Sequence, residues 1–439
     1  VALLMSSIDQ TIVATALPDI QLSLHAKINW VGWTITIYSL GRVMILPLAG
    51  KLSDHYGRRT VFLASISLFT IASLSCGLAQ DIYWLIGLRA IQAIGGAAFM
   101  PSATGIVVDH FGDTRDRAVG LFTSIIPVGA VLGPVLGGVF VEYWSWRGIF
   151  LVNVPIGAGL LIAARACLPI DPPRPSVRTR LDVGGMLLLA LALSAGMVTI
   201  TSLGDAGAGL ASITFLGTGT ISIIALLWFL LHSRSTPTPF IPVQLLRGRG
   251  FGVMNLINFF FGATAVGLGA LIPFYATSRY QISSLDSGTL LSARAIGMIT
   301  VAAAAAIALR RTGYRIPMLI GFIVTAVGLL AMSAAPQALA PYAWLSVAAG
   351  ITGIGMGLSN PAAHNASLQL DPHQAGAIAG LRGTFRQTGA ITAISITTTI
   401  LARSHDPALA QAHVFAVSGI FLLLILPLIF FVPEHRGTW

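Results

Sequence analysis

The chain's 439 residues are 55% hydrophobic and only 9% charged, where soluble domains are about a quarter charged, so a soluble globular protein is excluded. The net charge of +10 invites nucleic acid as a partner, but the Lys and Arg residues fall mainly in short connections on alternate sides of long apolar runs, where they record membrane topology. Cys76 and Cys167 both lie in apolar runs and read as small packing residues, which leaves neither a disulfide framework nor zinc spacing.

At about 20 apolar residues per span, fourteen segments read as membrane helices: 1–24, 31–49, 60–79, 82–108, 117–141, 146–168, 183–203, 211–231, 251–276, 286–309, 316–335, 342–369, 374–402 and 413–432. The chain opens inside the first of them at Val1, which implies a short polar leader or tail outside this sequence, and no cleavable signal pattern stands there. One side of the spans collects Lys51, Arg58, Arg59, Arg115, Arg117, Arg174, Arg178, Arg180, Arg234, Arg247, Arg249, Arg310, Arg311, Arg315 and Arg436. The other has only Lys27, Arg147, Arg279 and Arg403, so the first side is expected to be cytoplasmic, with both termini on it.

The first segment carries IDQTIVATALP, Ile8 to Pro18. An ionisable residue in an apolar span is expensive, so Asp9 is a functional candidate: a proton-exchanging carboxylate, or one paired with Arg for folding. Between the second and third segments lies GKLSDHYGRR, Gly50 to Arg59. Lys51, Asp54, Arg58 and Arg59 would each cost several kcal/mol in hydrocarbon, so this run is expected to be a loop at the water interface. Gly50 and Gly57 permit a tight reversal, and Asp54 can accept from Arg side chains or from free N–H groups at a helix N-terminus. The loop reads as a latch between moving parts or as an ordinary positive-inside connection.

The fourth segment carries LRAIQAIGGAAFMP, with Arg89 and Gln92 one turn apart. A buried Arg89 needs a counter-charge; otherwise it snorkels to the interface. In the fifth, PVGAVLGPVLGG sets small residues at four-residue intervals in a stripe that includes Gly129, Gly133 and Gly137, with Pro134 and Gly138 beside it, a pattern for close helix packing with a bend. The sixth opens with WRGIFLVNVPIG, Trp146 to Gly157.

Two Pro- and Arg-rich connections, around DPPRPSVRTR and RSTPTPFIP, bracket the seventh and eighth segments. The expected organisation is a six-helix bundle over 1–168, a linker with two extra helices over 169–250, and a second six-helix bundle over 251–439. Aligning Gly57 with Gly313 sets ALRRTGYR on the latch, with Arg310 where Asp54 stands, and aligning Pro101 with Pro361 sets IGMGLSNPA on IGGAAFMPS. The halves therefore read as diverged copies, the kind of repeat on which alternating access is built.

The second half places Arg294, Arg382 and Arg386 inside spans, with Arg42 in the first half, against one clear intramembrane carboxylate, Asp9. That balance favours a neutral, zwitterionic or anionic substrate over a lipophilic cation, unless these Arg residues bond backbone carbonyls near the interface. Gln92, Asn258, Phe261, Arg294, His364, Asn365 and Arg386 are the candidate substrate-cavity residues. No HExxH, no Gly-x-Ser-x-Gly turn, no GxxxxGK[ST] and no ligand cluster appears, so neither enzyme activity, nucleotide, metal nor other cofactor is implied.

GKLSDHYGRR resembles the signature loop of major facilitator superfamily transporters. IDQTIVATALP, GAVLGPVLGG and WRGIFLVNVPIG resemble the signatures of its fourteen-span drug:proton antiporters, with Ala14 in place of the usual Asn. The resemblance implies an all-α polytopic fold of two six-helix bundles plus two inserted helices. It implies proton coupling through Asp9 and Arg89, a gating latch of Gly50, Asp54, Gly57, Arg58, Arg59 and Asp109, and export rather than import from the motif at Gly129, Gly133, Pro134, Gly137 and Gly138. The expected partners are a small lipophilic substrate, protons and membrane lipids, for a monomer in the bacterial inner membrane.

Overall fold

The computed structural model describes residues 1–111, 125–168, 182–205, 209–237, 239–241, 250–336, 339–370 and 375–432. The chain forms two compact units, Val1–Leu181 and Asp182–Trp439. Among the described residues every regular element is helical. Among the described residues ten helices are long and apolar enough to cross a membrane.

In the first unit these elements are α1 (Ala2–Ser23), the short α2 (Ile28–Val31), α3 (Trp33–Tyr56), α4 (Arg58–Gly77), α5 (Ile82–Phe111), α6 (Ile125–Tyr143), the short α7 (Gly148–Leu151) and α8 (Asn153–Cys167). Each of the first six expected segments thus carries helix, although α1, α3 and α6 are not among the ten. The expectation of a loop over Gly50–Arg59 needs correction. Helix α3 continues through LSDHY to Tyr56 and α4 begins at Arg58, so the whole reversal falls on Gly57. Its φ of 97° and ψ of 140° lie in a region open essentially to glycine alone, which lets the helices run to within one residue of each other.

The fifth-segment glycines face α1. A Cβ on Gly133 would meet the Thr11 side chain and stand 2.9 Å from the Ile8 carbonyl oxygen; one on Gly137 would meet Thr15 and stand 2.7 Å from the Ile12 carbonyl oxygen; one on Gly129 would stand 2.5 Å from Ser7 Cβ. The stripe therefore brings α6 onto the α1 backbone on both sides of Asp9, with Pro134 and Gly138 buried beside it. Helix α5 sits on α4 in the same manner, since a Cβ on Gly95 would stand 2.7 Å from the Phe69 backbone nitrogen.

The second unit contains α9 (Val183–Ser202), α10 (Ile213–Ser235), α11 (Phe251–Phe261), α12 (Ile272–Tyr280), α13 (Ser284–Thr312), α14 (Arg315–Ser333), α15 (Pro341–Leu368), α16 (Ala375–Arg403) and α17 (Pro407–Leu424). The ninth expected segment is not one uniform helix: α11 passes through a π-helical turn, Gly262–Gly267, and a 3-10 turn, Leu268–Leu271, before α12. There the backbone of α16 comes close, and Cβ atoms on Gly262 and Gly389 would run into the Arg386 and Phe259 carbonyls respectively. The last segment likewise starts earlier than expected, at Pro407, and ends in a 3-10 turn, Leu426–Phe431. Gly313 joins α13 to α14 with φ 70° and ψ −166°, a glycine-only conformation like that of its repeat counterpart Gly57.

The inserted pair, α9 and α10, belongs to the second unit. The Thr399 hydroxyl of α16 donates to the Ile200 carbonyl at 3.2 Å, and Asp182 closes the start of the pair. Its carboxylate caps α9 by accepting from the Gly185 N–H at 2.8 Å, accepts from the Phe240 N–H at 2.8 Å, and meets His232 Nε2 of α10 at 2.6 Å. Desolvation pushes this carboxyl up, but the two backbone N–H groups and His232 together hold it below the usual carboxylate range.

Two predictions follow from these joints. Replacing Gly57 with Ala lowers the thermal unfolding temperature in detergent micelles by the equivalent of about 1–3 kcal/mol, whereas Ala at Gly159, where a Cβ meets nothing within 4 Å, leaves it unchanged. The Asp182 clamp has a depressed folded pKa. Its contribution is therefore complete above the unfolded value of about 3.9 and is lost as pH falls through the lower folded value; Asp182→Ala abolishes that part of the acid sensitivity in a pH series of melting curves.

Candidate functional site

Four deeply buried polar residues of the first unit meet at one point: Asp9 and Gln92 are 0% exposed, Arg89 1% and Asn153 2%. Arg89 Nη1 donates to Asp9 Oδ2 at 2.9 Å. Gln92 Nε2 and Asn153 Nδ2 donate to Asp9 Oδ1 at 3.0 and 3.2 Å. The same two amides also donate to Ser73 Oγ, at 2.9 and 3.0 Å, and the Ser73 hydroxyl donates to the Phe150 carbonyl at 3.1 Å. Five elements, α1, α4, α5, α7 and α8, supply these groups.

Arg89 is held on its other sides as well. Its Nε donates to the Thr34 carbonyl at 3.1 Å, its Nη1 also reaches Gln92 Oε1 at 2.6 Å, and its guanidinium lies 4.0 Å from the centre of the Tyr38 ring. A buried ion pair survives when its remaining lone pairs and protons are bonded, and here both carboxylate oxygens and the cation's flank are. Arg89 thus does not snorkel; its counter-charge is Asp9. Arg42 of α3 donates to Gln10 at 2.6 Å, one residue along α1 from Asp9.

Arg89 and Gln92 were visible in the sequence as a pair one turn apart, but Ser73 and Asn153 were not singled out. The available signal was that Asn153 is the lone carboxamide of an apolar sixth segment, inside WRGIFLVNVPIG. At the latch, Arg58 Nη1 donates to the Gly105 carbonyl of α5, and Arg59 Nη2 to the Arg165 carbonyl of α8 at 3.0 Å. Gly50, Asp54 and Asp109 stand on helical backbone, and their side chains lie outside the described residues. In the second unit, Phe261 is 3% exposed and stacks on Phe322 at 5.2 Å. Asn258, equally buried, donates to the Met254 carbonyl at 2.7 Å. Arg386 and His364 are both joined to the Arg382 group, Arg294 binds the Ala265 carbonyl, and Asn365 lies within α15. Among the described residues no cluster of metal-ligating side chains occurs.

Apolar helices of spanning length around a buried, fully bonded ion pair define a polytopic α-helical membrane protein of the transporter type. The chain belongs to the Major Facilitator Superfamily, whose model matches residues 1–394 and 254–439. It is 30% identical over 401 residues to Multidrug resistance protein 3 of Bacillus subtilis (strain 168), spanning 91% of this chain and 77% of that protein. It is 29% identical over 440 residues to the Methylenomycin A resistance protein of the same organism, spanning 99% and 93%. To the Putative multidrug resistance protein MdtD of Escherichia coli (strain K12 / DH10B) it is 33% identical over 316 residues, 71% and 65% of the two chains. The fold is similar to that of a D-xylose-proton symporter, with a TM-score of 0.68 at 16% identity over 100% of this chain and 97% of that one.

The bonding pattern sets a stability prediction. Asp9→Asn turns a carboxylate oxygen into an N–H donor among donors and leaves Arg89 uncompensated, a loss of about 3–5 kcal/mol. Combining it with Arg89→Gln recovers part of that loss, because the buried charge goes with its partner; a double-mutant cycle on melting temperatures in detergent reads the coupling.

Proposed function

We propose that the chain is a proton-coupled efflux antiporter that exports lipophilic small molecules by alternating access. The observation that carries this reading is Asp9, fully buried in a span and balanced by Arg89, Gln92 and Asn153. Protonation removes the charge on Asp9 and one acceptor, so Arg89 loses its counter-ion and the amide donors of Gln92 and Asn153 lose part of theirs. The low-dielectric surroundings make each loss costly, and the helices that supply the donors must readjust. A proton taken up at Asp9 is thereby converted into a rearrangement of α1 against α4, α5 and α8.

Export rather than uptake rests on the Gly129, Gly133 and Gly137 stripe, the antiporter pattern of the sequence, which packs directly on α1 beside Asp9. The multidrug-resistance names of relatives at about 30% identity point the same way. In this reading the fourteen helical segments all span, the protein sits as a monomer in the bacterial inner membrane with both termini cytoplasmic, and the Arg58 and Arg59 contacts belong to the gate.

Proteoliposomes carrying an internal pH dye test the proposal. Wild-type protein exposed to a panel of lipophilic cations, neutral compounds and anions is expected to move protons with at least one class, and Asp9→Asn to move none while still folded. Substrate flux without proton movement, or proton movement unaffected by Asp9→Asn, overturns it. A second comparison concerns the stripe: Gly133→Leu forces α6 off the Ile8 carbonyl and is expected to abolish transport while membrane insertion, read by protease protection, persists.

A further inference from the structure

Three guanidinium groups of the second unit gather on one face of α15, where Met356, Asn360 and His364 recur every four residues. Arg382 Nη2 donates to Asn360 Oδ1 and, at 3.3 Å, to the Asn360 carbonyl, while its Nη1 lies 3.4 Å from His364 Nδ1. Arg386 Nη1 donates to the same Asn360 Oδ1 at 3.2 Å. One turn away, Arg294 Nη2 reaches Met356 Sδ at 3.0 Å and bonds the Ala265 carbonyl of the π-helical turn. Counting about 1.5 Å per residue, Arg386 lies about 16 Å into α16 and Arg294 about 15 Å into α13, well inside their helices.

The group is rich in donors and poor in acceptors. Two like charges four residues apart on α16 repel, yet one carboxamide oxygen serves both. Among the described residues no carboxylate pairs with any of the three. Arg382 is 8% exposed, and its buried Nε has no hydrogen-bond partner. Asp9 shows the contrast, since there the buried charge is matched by Arg89 and both carboxylate oxygens accept from side-chain donors. Uncompensated arginines inside a span mark a site for something that brings the missing charge, and a planar guanidinium fork matches a carboxylate, phosphate or sulfonate in bidentate fashion.

We infer that Arg382 and Arg386, positioned by Asn360 and supported by Arg294, bind the anionic headgroup of a lipophilic substrate. This rests on the transporter reading above and adds the substrate's charge and its anchor. The full chain in phosphatidylcholine nanodiscs, with empty discs as background, is titrated with radiolabelled dodecanoate, dodecyl phosphate, dodecanol and dodecyltrimethylammonium, which share one tail and differ in headgroup. The two anions are expected to bind saturably and at least about tenfold more tightly than the cation and the alcohol. Arg386→Gln removes about tenfold of that affinity, near one decade per lost charge-assisted contact, and leaves the cation unaffected; Arg386→Lys loses less. Asn360→Asp, which places a carboxylate among the guanidinium groups, abolishes anion binding while keeping the fold, and it decides the matter if Arg386→Gln does not fold. Equal binding of anion and cation, or anion binding untouched in folded Arg386→Gln and Asn360→Asp, overturns the inference.

Discs containing phosphatidylglycerol separate two sources of the same chemistry. Competition with dodecanoate identifies a bilayer lipid headgroup as the ligand, and lack of competition identifies a free amphiphile; both keep the anion site. Saturable anion binding without export in proteoliposomes keeps the site and removes the exporter reading. Export indifferent to Arg386→Gln does the reverse.

Discussion

A carboxylate can stay inside an apolar span only if its charge is matched and its lone pairs are occupied, and the first unit is built around meeting that condition for Asp9. Removing such a group from water costs several kcal/mol, and that cost is offset by donors from α5 and α8, whose amides are held in turn by Ser73 of α4, which accepts from both. None of these donors reaches Asp9 unless α1 is seated at one height and rotation. The glycine stripe of α6 supplies that seat, because its missing side chains let Ile8, Thr11 and Ile12 approach the α6 backbone. Packing and electrostatics are thus one constraint here: a larger residue in the stripe would displace the carboxylate from its donors as well as the helix from its neighbour.

The second unit repeats the helical plan with the opposite polar content. Gly57 and Gly313 hold equivalent glycine-only joints, and Pro101 and Pro361 both lie inside long helices, so the repeat survives in the backbone. What diverges is charge. The first unit buries an acid with its base, whereas the second buries bases that share a carboxamide. In the proposed cycle this asymmetry divides the work, with proton exchange at Asp9 and substrate charge at the Arg382 and Arg386 stripe.

Much of this was legible in the sequence, and the failures have physical causes. Asp9, Arg89 and Gln92 stood out because charge and amide groups in apolar runs are costly whatever their partners. The run Gly50 to Arg59 was misjudged as a loop because its charges must reach water. A helix end can also project charges into water, and LSDHY holds no residue that stops a helix before Gly57. The π-helical turn in the ninth segment left no mark, since Gly262–Gly267 reads as ordinary apolar helix until α16 is brought against it. Ser73, Asn153 and Asn360 were passed over because a single Ser or Asn in a span has many uses, and only its neighbours choose one.

The order of residues is enough to place the chain in a membrane and to give the succession of its helices, the spans that carry charge and the glycines that meet another backbone. Those properties follow from the thickness of hydrocarbon and the cost of desolvation, which act on composition over about 20 residues at a time. The tertiary structure alone decided which groups satisfy the buried charges. The donors to Asp9 stand 80, 83 and 144 residues away along the chain, and the two arginines that share Asn360 stand 22 and 26 residues from it. Hydrogen bonds act over about 3 Å, so their partners exist only once packing has set the helices side by side.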